Sequence, residues 1–338
     1  MGRRPLNDDP GGKQREEEWE VAGLGHEPVM RADVVRLLLP MPRPGLRLID
    51  FTVGLGGHAE ALLEAAPPDT ELLAFDRDPS ALARARQRLS GFGSRVHFCA
   101  RPFSGLALAL QDLGWDGVDG ALADLGVSSM QLDDAARGFS FRADAALDMR
   151  MDPGGAETAA ELIARLEEAE LRHLLREFGE EPAARRIART IKQASEAPTT
   201  TAELRDLVRK AVGSRGGRRH DPSTLTFQAL RIAVNDELGE LERLLDELPL
   251  CLSPGGRAVI LSYHSLEDRR VKRAFADWSR SCVCPPQVLL CECGGTPRAR
   301  NLTRGGLTAD DDEVAQNPRA RSARLRAIEW IVDSGAAS

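Results

Sequence analysis

From Leu46 onward the chain repeats one unit: a short apolar run, a turn, then apolar residues at helical spacing. Leu46 to Val53 reads as a strand running into Gly54, Gly56 and Gly57. Ala59, Leu62, Leu63 and Ala66 line one face of the helix that follows. The next strand, Leu72 to Phe75, closes on Asp76-Arg77-Asp78-Pro79. Asp78 suits an N-cap and Pro79 the first helical position, so a helix continues through Leu82, Ala85 and Leu89. Further strands are expected at Val96 to Cys99 and Val118 to Leu125. Strands alternating with helices in this way pair in parallel through right-handed crossovers. The expected fold is therefore α/β on a mostly parallel sheet, with a ligand at the carboxyl ends of the strands.

The period changes near Asp133. From there to about Leu248 the pattern is helical, with capping-box pairs at Thr158/Glu161 and Thr200/Glu203. Leu204, Leu207, Val208, Ala211 and Val212 then follow at helical spacing. The βα pattern returns at Gly255-Gly256 with a strand at Arg257 to Ser262, and the run from Ala323 through Ile328 suits a last strand. The expected division is a disordered extension at 1–24, an α/β domain formed by 25–132 and 237–338, and an all-helical insertion at 133–236. Placed after the fourth strand, the insertion lies beside the ligand edge of the sheet, where it can shape a substrate site.

Charge and composition narrow the function classes. Lys and Arg number 45 against 52 Asp and Glu, a net charge of -7, so nucleic-acid contact requires a local basic patch. Arg215 to Arg219, Arg298 to Arg304 and Arg319 to Arg326 are the candidates. No apolar run reaches the roughly 20 residues that span a bilayer, and the N-terminal segment lacks the apolar stretch of a secretory signal. A cytoplasmic protein with no membrane partner is expected, and its six cysteines then read as reduced thiols. Cys99 and Cys251 are taken as small apolar residues. Cys282-Val283-Cys284 and Cys291-Glu292-Cys293 offer four thiolates to one zinc, yet C-x-C is tighter than the usual C-x2-C and no metal site is assigned.

Gly54-Leu55-Gly56-Gly57-His58-Ala59 satisfies G-x-G-x-x-A, which alone fits an ordinary βα turn as well as a nucleotide site. Asp76 ends the second strand about 20 residues later, where a carboxylate can accept both hydroxyls of a ribose. NAD and S-adenosylmethionine both carry that ribose, and an acid ending the first strand, here Asp50, is more typical of methyltransferases. A third element is the strand Ala121-Leu122-Ala123-Asp124 followed by Leu125-Gly126-Val127-Ser128-Ser129. The lone pair of an exocyclic base amine is delocalised into the ring. An acceptor such as Asp124, holding one N–H, raises the electron density on nitrogen and aligns it for in-line displacement. Hydride transfer has no comparable need.

Longer blocks join these features: Glu27-Pro28-Val29-Met30 after His26, Gln131-Leu132-Asp133, Arg137-Gly138-Phe139-Ser140-Phe141, and Leu147 to Pro153. Thr226 to Ile232, Tyr263 to Arg269 and Asn317-Pro318-Arg319-Ala320-Arg321 complete the series. In these blocks, which run in order from about residue 24, the chain resembles the MraW family of ribosomal RNA small-subunit methyltransferases. The resemblance implies a class I, Rossmann-like fold, S-adenosylmethionine as cofactor, and methylation of N4 of a P-site cytidine in 16S rRNA. Carried over by position, the cofactor contacts fall on Gly56, Gly57, His58, Asp76, Phe103 near the adenine, Asp124 beneath the methionine end, and Gln131. Gln131 rests on the resemblance alone. Asp124 is the expected catalytic residue. The implied partner is 16S rRNA or the small ribosomal subunit, with no DNA, and a homodimer is compatible. Phe51-Thr52-Val53, where the family usually has Gly-Thr, and Arg31-Ala32 depart from the pattern, and altered local packing is expected.

Tyr263 and His264 are the expected substrate contacts, because a base in structured RNA must be splayed out before its amine can react. The alternative is local: Ser265 as an N-cap, with Glu267 and Asp268 favouring the first turn. His58 divides in the same way between the cofactor site and the start of its helix. The Arg215 to His220 run, with Arg298, Arg300, Arg304, Arg319, Arg321 and Arg324, is a candidate phosphate contact. Three rivals remain: a DNA amino-methyltransferase, whose Pro-Pro-aromatic motif is missing after Asp124, a NAD-linked oxidoreductase, and a silent RNA-binding module. Asp76→Ala is expected to weaken cofactor binding and leave the fold intact.

Overall fold

The computed structural model describes residues 27–155, 157–213, 221–282, 284, 293 and 295–331. The N-terminal extension, His26, the basic run from Arg215 to His220 and Cys291 lie outside the described residues. Seven strands form one sheet: β1 (Arg47–Asp50), β2 (Glu71–Phe75), β3 (Val96–Cys99), β4 (Val118–Asp124), β5 (Leu252–Ser262), β6 (Ala299–Asn301) and β7 (Arg324–Trp330). Their order is β3-β2-β1-β4-β5-β7-β6. β1 to β5 are mutually parallel, β7 runs antiparallel to both its neighbours, and β6 therefore returns to the common direction.

Alternate strand residues face opposite sides, and here both sides are apolar because both are covered. Ile49, Leu73, Phe75, Ala121, Ala123 and Ile260 share one core with α4 (Leu106–Leu113), α11 (Glu237–Cys251) and α12 (Ser265–Trp278). Leu48, Leu72, Ala74, Leu122, Val259 and Leu261 share the other with α1 (Arg31–Leu38), α2 (Gly57–Ala65) and α3 (Pro79–Arg88). Arg31, one of the departures, is exposed and pairs with Glu64 at 3.0 Å. Asp78 caps α3 by accepting from the Ser80 N–H, with Pro79 in the first turn, as its sequence suggests.

Between β4 and β5 the chain is helical. After α5 (Ser129–Asp133) come α6 (Ala159–Arg165), α7 (Glu168–Gly179), α8 (Ala184–Lys192), α9 (Thr201–Val212) and α10 (Thr224–Asn235). Both expected capping boxes form, at the starts of α6 and α9. Leu171, Leu175, Ile187, Leu204, Val208, Phe227 and Leu230 build a core that contains no strand residue. The last described α-helix before β7 is α13 (Asp311–Gln316). No helix among the described residues is long and apolar enough to cross a membrane.

Two local expectations change. β1 ends at Asp50, and residues 51–53 leave the ladder while Phe51 and Val53 still donate to Leu122 and Phe75 carbonyls at 2.8 Å. α12 is capped by His264, whose Nδ1 accepts from the Glu267 N–H, whereas the Ser265 hydroxyl bonds Glu180.

Candidate active site

The carboxyl ends of β1, β2 and β4 meet at one cavity of about 360 Å³, within the usual range for small-molecule sites. β1 delivers Asp50 and then Phe51-Thr52-Val53. Phe51 is buried, stacks on Phe75 at 5.5 Å and meets the Phe103 ring edge-on at 5.8 Å. Thr52 Oγ1 accepts from the Asp124 N–H at 2.6 Å and so ties the end of β1 to the end of β4. The departure at this point thus adds aromatic packing beneath an unchanged glycine turn.

Gly54 (φ 51°) and Gly56 (φ 83°) adopt left-handed backbone that a side chain would strain. The Gly54 N–H donates to Asp76 Oδ2 and the Asp78 N–H to Asp76 Oδ1, each at 2.9 Å. Gly57 is needed for space: a Cβ there would stand 2.6 Å from Pro28 Cγ, so the Glu27-Pro28-Val29 segment closes directly over the turn. Burial pushes the Asp76 carboxyl up to about 6, against the two backbone hydrogen bonds that lower it. Asp50 is wholly buried, and loss of water raises it to about 7 although His58 opposes the rise.

β4 brings Asp124 into the cavity wall, and β5 brings Tyr263 opposite. The Tyr263 hydroxyl donates to Asp124 Oδ1 at 2.7 Å, and His58 Nε2 stands 3.5 Å from Oδ2. Burial, with the Asp124 charge, holds the phenol well above its ordinary value, so Tyr263 stays a neutral donor. Both ring nitrogens of buried His58, and Asp50 Oδ2, have no hydrogen-bond partner in the protein. Of these, His58 lines the cavity, where an unpaired buried nitrogen is open to a ligand or water. The lining fits a ligand with a ribose for Asp76, an aromatic base beside Phe103, and a cationic end against Asp124.

Of the residues singled out from sequence, Gly57, His58, Asp76, Phe103, Asp124, Gln131 and Tyr263 line this cavity. Gly56 turns the chain beside it as the N-cap of α2. His264 lies outside the lining, at the head of α12. Gln131 forms a capping box with Ser128 and donates from Nε2 to Asp78 Oδ2 at 3.1 Å, which gives it a physical role of its own. Among the candidate phosphate-binding arginines that are described, Arg319 lines the cavity. Arg300 pairs with Glu329, Arg324 donates to the Gly305 carbonyl, and Arg298 lies over the Trp330 ring.

Four residues take part that the sequence had not assigned to the site, although Asp78 was expected as an N-cap and Gly54 as part of the glycine turn. Asp78 holds Gln131 and the Arg137 guanidinium (2.9 Å), and Arg137 in turn donates to the Arg150 and Met151 carbonyls, which fastens the helical segment to α3. Gly54 lines the cavity with its neighbours. Arg231 and Glu237 form a bidentate pair in its wall at 2.8 and 2.9 Å. Glu237, His264 and Glu267 present ligand atoms within 4.8 Å of one another. Arg231 already takes both oxygens of Glu237, and Glu267 Oε2 caps the Tyr263 and His264 N–H groups, so this is an ion-pair cluster. Arg231 and Glu237 lie in or beside a sequence block, but no spacing relates them to Asp124 more than 100 residues away.

A parallel sheet in this strand order, with a single reversed strand and a glycine turn after β1, is the framework of the class I methyltransferases. This chain is one of them, dependent on S-adenosylmethionine. The model of the MraW methylase family matches residues 23–331, and the chain belongs to that family. It is similar to ribosomal RNA small subunit methyltransferase H of Nitratidesulfovibrio vulgaris (strain DP4), 51% identical over 318 residues that make up 93% of this chain and 97% of that protein. The protein of the same name from Geobacter sulfurreducens is 52% identical over 312 residues, 91% of this chain and 99% of the relative.

Proposed function

We propose that the protein transfers the methyl group of S-adenosylmethionine to N4 of a P-site cytidine in 16S rRNA, in the cytoplasm and not on DNA. Relatives named as ribosomal RNA small subunit methyltransferases support the substrate class. The observation that carries the amine reading is the pair Asp124–Tyr263 at the cavity wall. The bound cofactor supplies an electrophilic methyl group whose leaving group needs no acid. The protein's task is therefore to orient a weak nitrogen nucleophile and to take up its proton. Tyr263 occupies Asp124 Oδ1, which fixes the carboxylate and leaves Oδ2 to accept an N–H of the cytosine amine. His58 beside Oδ2 offers the next position for that proton.

In this reading Gly56, Gly57, His58, Asp76, Phe103, Asp124 and Gln131 bind the cofactor, and Tyr263 faces the base. The helical segment, fastened through Asp78–Arg137, recognises the RNA, with Arg319 at the cavity contributing a cation. The test is incubation with radiolabelled methyl donor and small subunits from cells lacking the modification, followed by nucleoside analysis, with DNA as control. Label in N4-methylated cytidine of 16S rRNA is expected. Label in DNA, label on another base or atom, or unlabelled rRNA with folded protein would overturn the proposal.

A further inference from the structure

Between the end of α12 and the start of β6 the chain makes an excursion none of whose described residues lines the cofactor cavity. Its two ends are clamped together. The Arg298 N–H donates to the Trp278 carbonyl at 2.9 Å, and the Ile331 N–H donates to the Arg298 carbonyl at 2.9 Å. The Trp278 ring meets Trp330 edge-on at 5.9 Å, and the Arg298 guanidinium lies over Trp330. The excursion is rich in proline, glycine and cysteine, with four of the chain's six cysteines between residues 282 and 293.

Within it Cys282, Cys284 and Cys293 place their thiol sulfurs within 4.8 Å of one another. The Cys282 and Cys293 sulfurs are 3.8 Å apart. A disulfide would require about 2.05 Å. Tetrahedral zinc with Zn–S bonds of about 2.3 Å requires sulfurs about 3.8 Å apart along each edge of the tetrahedron. The remaining spread closes with small side-chain rotations. Gly295 permits the approach: a Cβ there would come 2.9 Å from the Ser281 carbonyl oxygen and 3.4 Å from the Cys293 sulfur.

We propose that Cys282, Cys284 and Cys293 hold a structural Zn(II) ion that staples the two ends of this excursion together. The C-x-C spacing is tighter than the usual C-x2-C, but Cys293, distant in sequence, comes to Cys282 and Cys284 in space. Each thiol loses its proton to solvent on binding, and the three thiolates leave one tetrahedral position for a further donor. Thiolate sulfur favours zinc over calcium or magnesium, and zinc needs no redox partner. The site lies apart from the residues lining the cofactor cavity, so metal binding and methyl transfer are separable.

The test uses the full chain, purified under reducing conditions from zinc-supplemented medium. Near-stoichiometric zinc by mass spectrometry is expected. Replacing zinc with cobalt is expected to give the intense visible bands of a tetrahedral sulfur-rich site. The combined Cys282→Ser, Cys284→Ser and Cys293→Ser variant is expected to lose zinc to background while still binding S-adenosylmethionine, which reports that the catalytic core has folded. Cys99→Ser with Cys251→Ser is expected to keep the metal. Metal-free wild-type protein without a cobalt spectrum, zinc retained by the triple variant, iron in place of zinc, or a native Cys282–Cys293 disulfide would each overturn the proposal.

Discussion

Replacing Asp76 by alanine removes more than a contact to the cofactor. Its two oxygens accept the Gly54 and Asp78 N–H groups at 2.9 Å, and the residue is half-buried in the cavity wall. A buried donor left without its acceptor costs about 1–3 kcal/mol. Asp76→Ala is therefore expected to lower folding stability by about 2–3 kcal/mol as well as to weaken cofactor binding, where the sequence alone suggested an intact fold. Asp76→Asn keeps an oxygen for one donor, so about half that loss is expected. The two variants also separate charge from shape. Burial raises the wild-type carboxyl to about 6. The ionised form is the one suited to accept two ribose hydroxyls, so affinity for S-adenosylmethionine should be level above that pH. Below it, affinity should fall about tenfold per pH unit. Asp76→Asn should bind weakly throughout, with that component of the pH dependence gone. Urea denaturation gives the stability change, and calorimetric titration between about pH 5 and 8 gives the affinities. A wild-type denaturation midpoint in Asp76→Ala would refute the hydrogen-bond account, and wild-type affinity in Asp76→Asn across the range would remove Asp76 from the site.

Three further outcomes follow from the same geometry. Asp50 rises from 3.8 to about 7 on folding. The folded state therefore binds the extra proton, and stability present below pH 4 is lost as pH climbs to 7, by up to about 4 kcal/mol. The stability difference between wild type and Asp50→Asn, followed by denaturation of the cofactor-free protein, should change by that amount over the window, and a constant difference would refute it. Tyr263→Phe removes a hydrogen bond to a charged acceptor worth about 1.5–3 kcal/mol. Turnover should drop about ten- to a hundredfold with cofactor affinity nearly unchanged, whereas a rise in the cofactor dissociation constant alone would place Tyr263 elsewhere. Asp78→Ala strands the partly buried Arg137 and uncaps α3, and a loss of about 3–5 kcal/mol in denaturant unfolding is expected; a loss under about 1 kcal/mol would contradict the buried-pair account.

Much of the framework is local and therefore legible in the sequence. The strands β1 to β4, the glycine turn, the Asp78 cap and the capping boxes at Thr158 and Thr200 depend on residues within a few positions of one another. Apolar period and side-chain-to-backbone bonding decide such features before any long-range contact forms. The acids at the ends of β1, β2 and β4 were visible for the same reason, since a residue closing an apolar strand of a parallel sheet reaches its ligand edge. Tertiary structure alone decided what those acids touch. Asp78 is shared with Gln131 and Arg137, 53 and 59 residues away, and Asp124 is fixed by Tyr263 across 139. β6 is three residues long and becomes a strand only because β7 presents an open edge. His264 looked like a substrate contact because it follows a strand, yet its ring caps α12. Cys282 and Cys293 meet because Trp278 and Arg298 bring the ends of their excursion together. Periodicity records which face of an element is buried; it carries no information about which distant side chain arrives there, and sheet order and chain crossover set that.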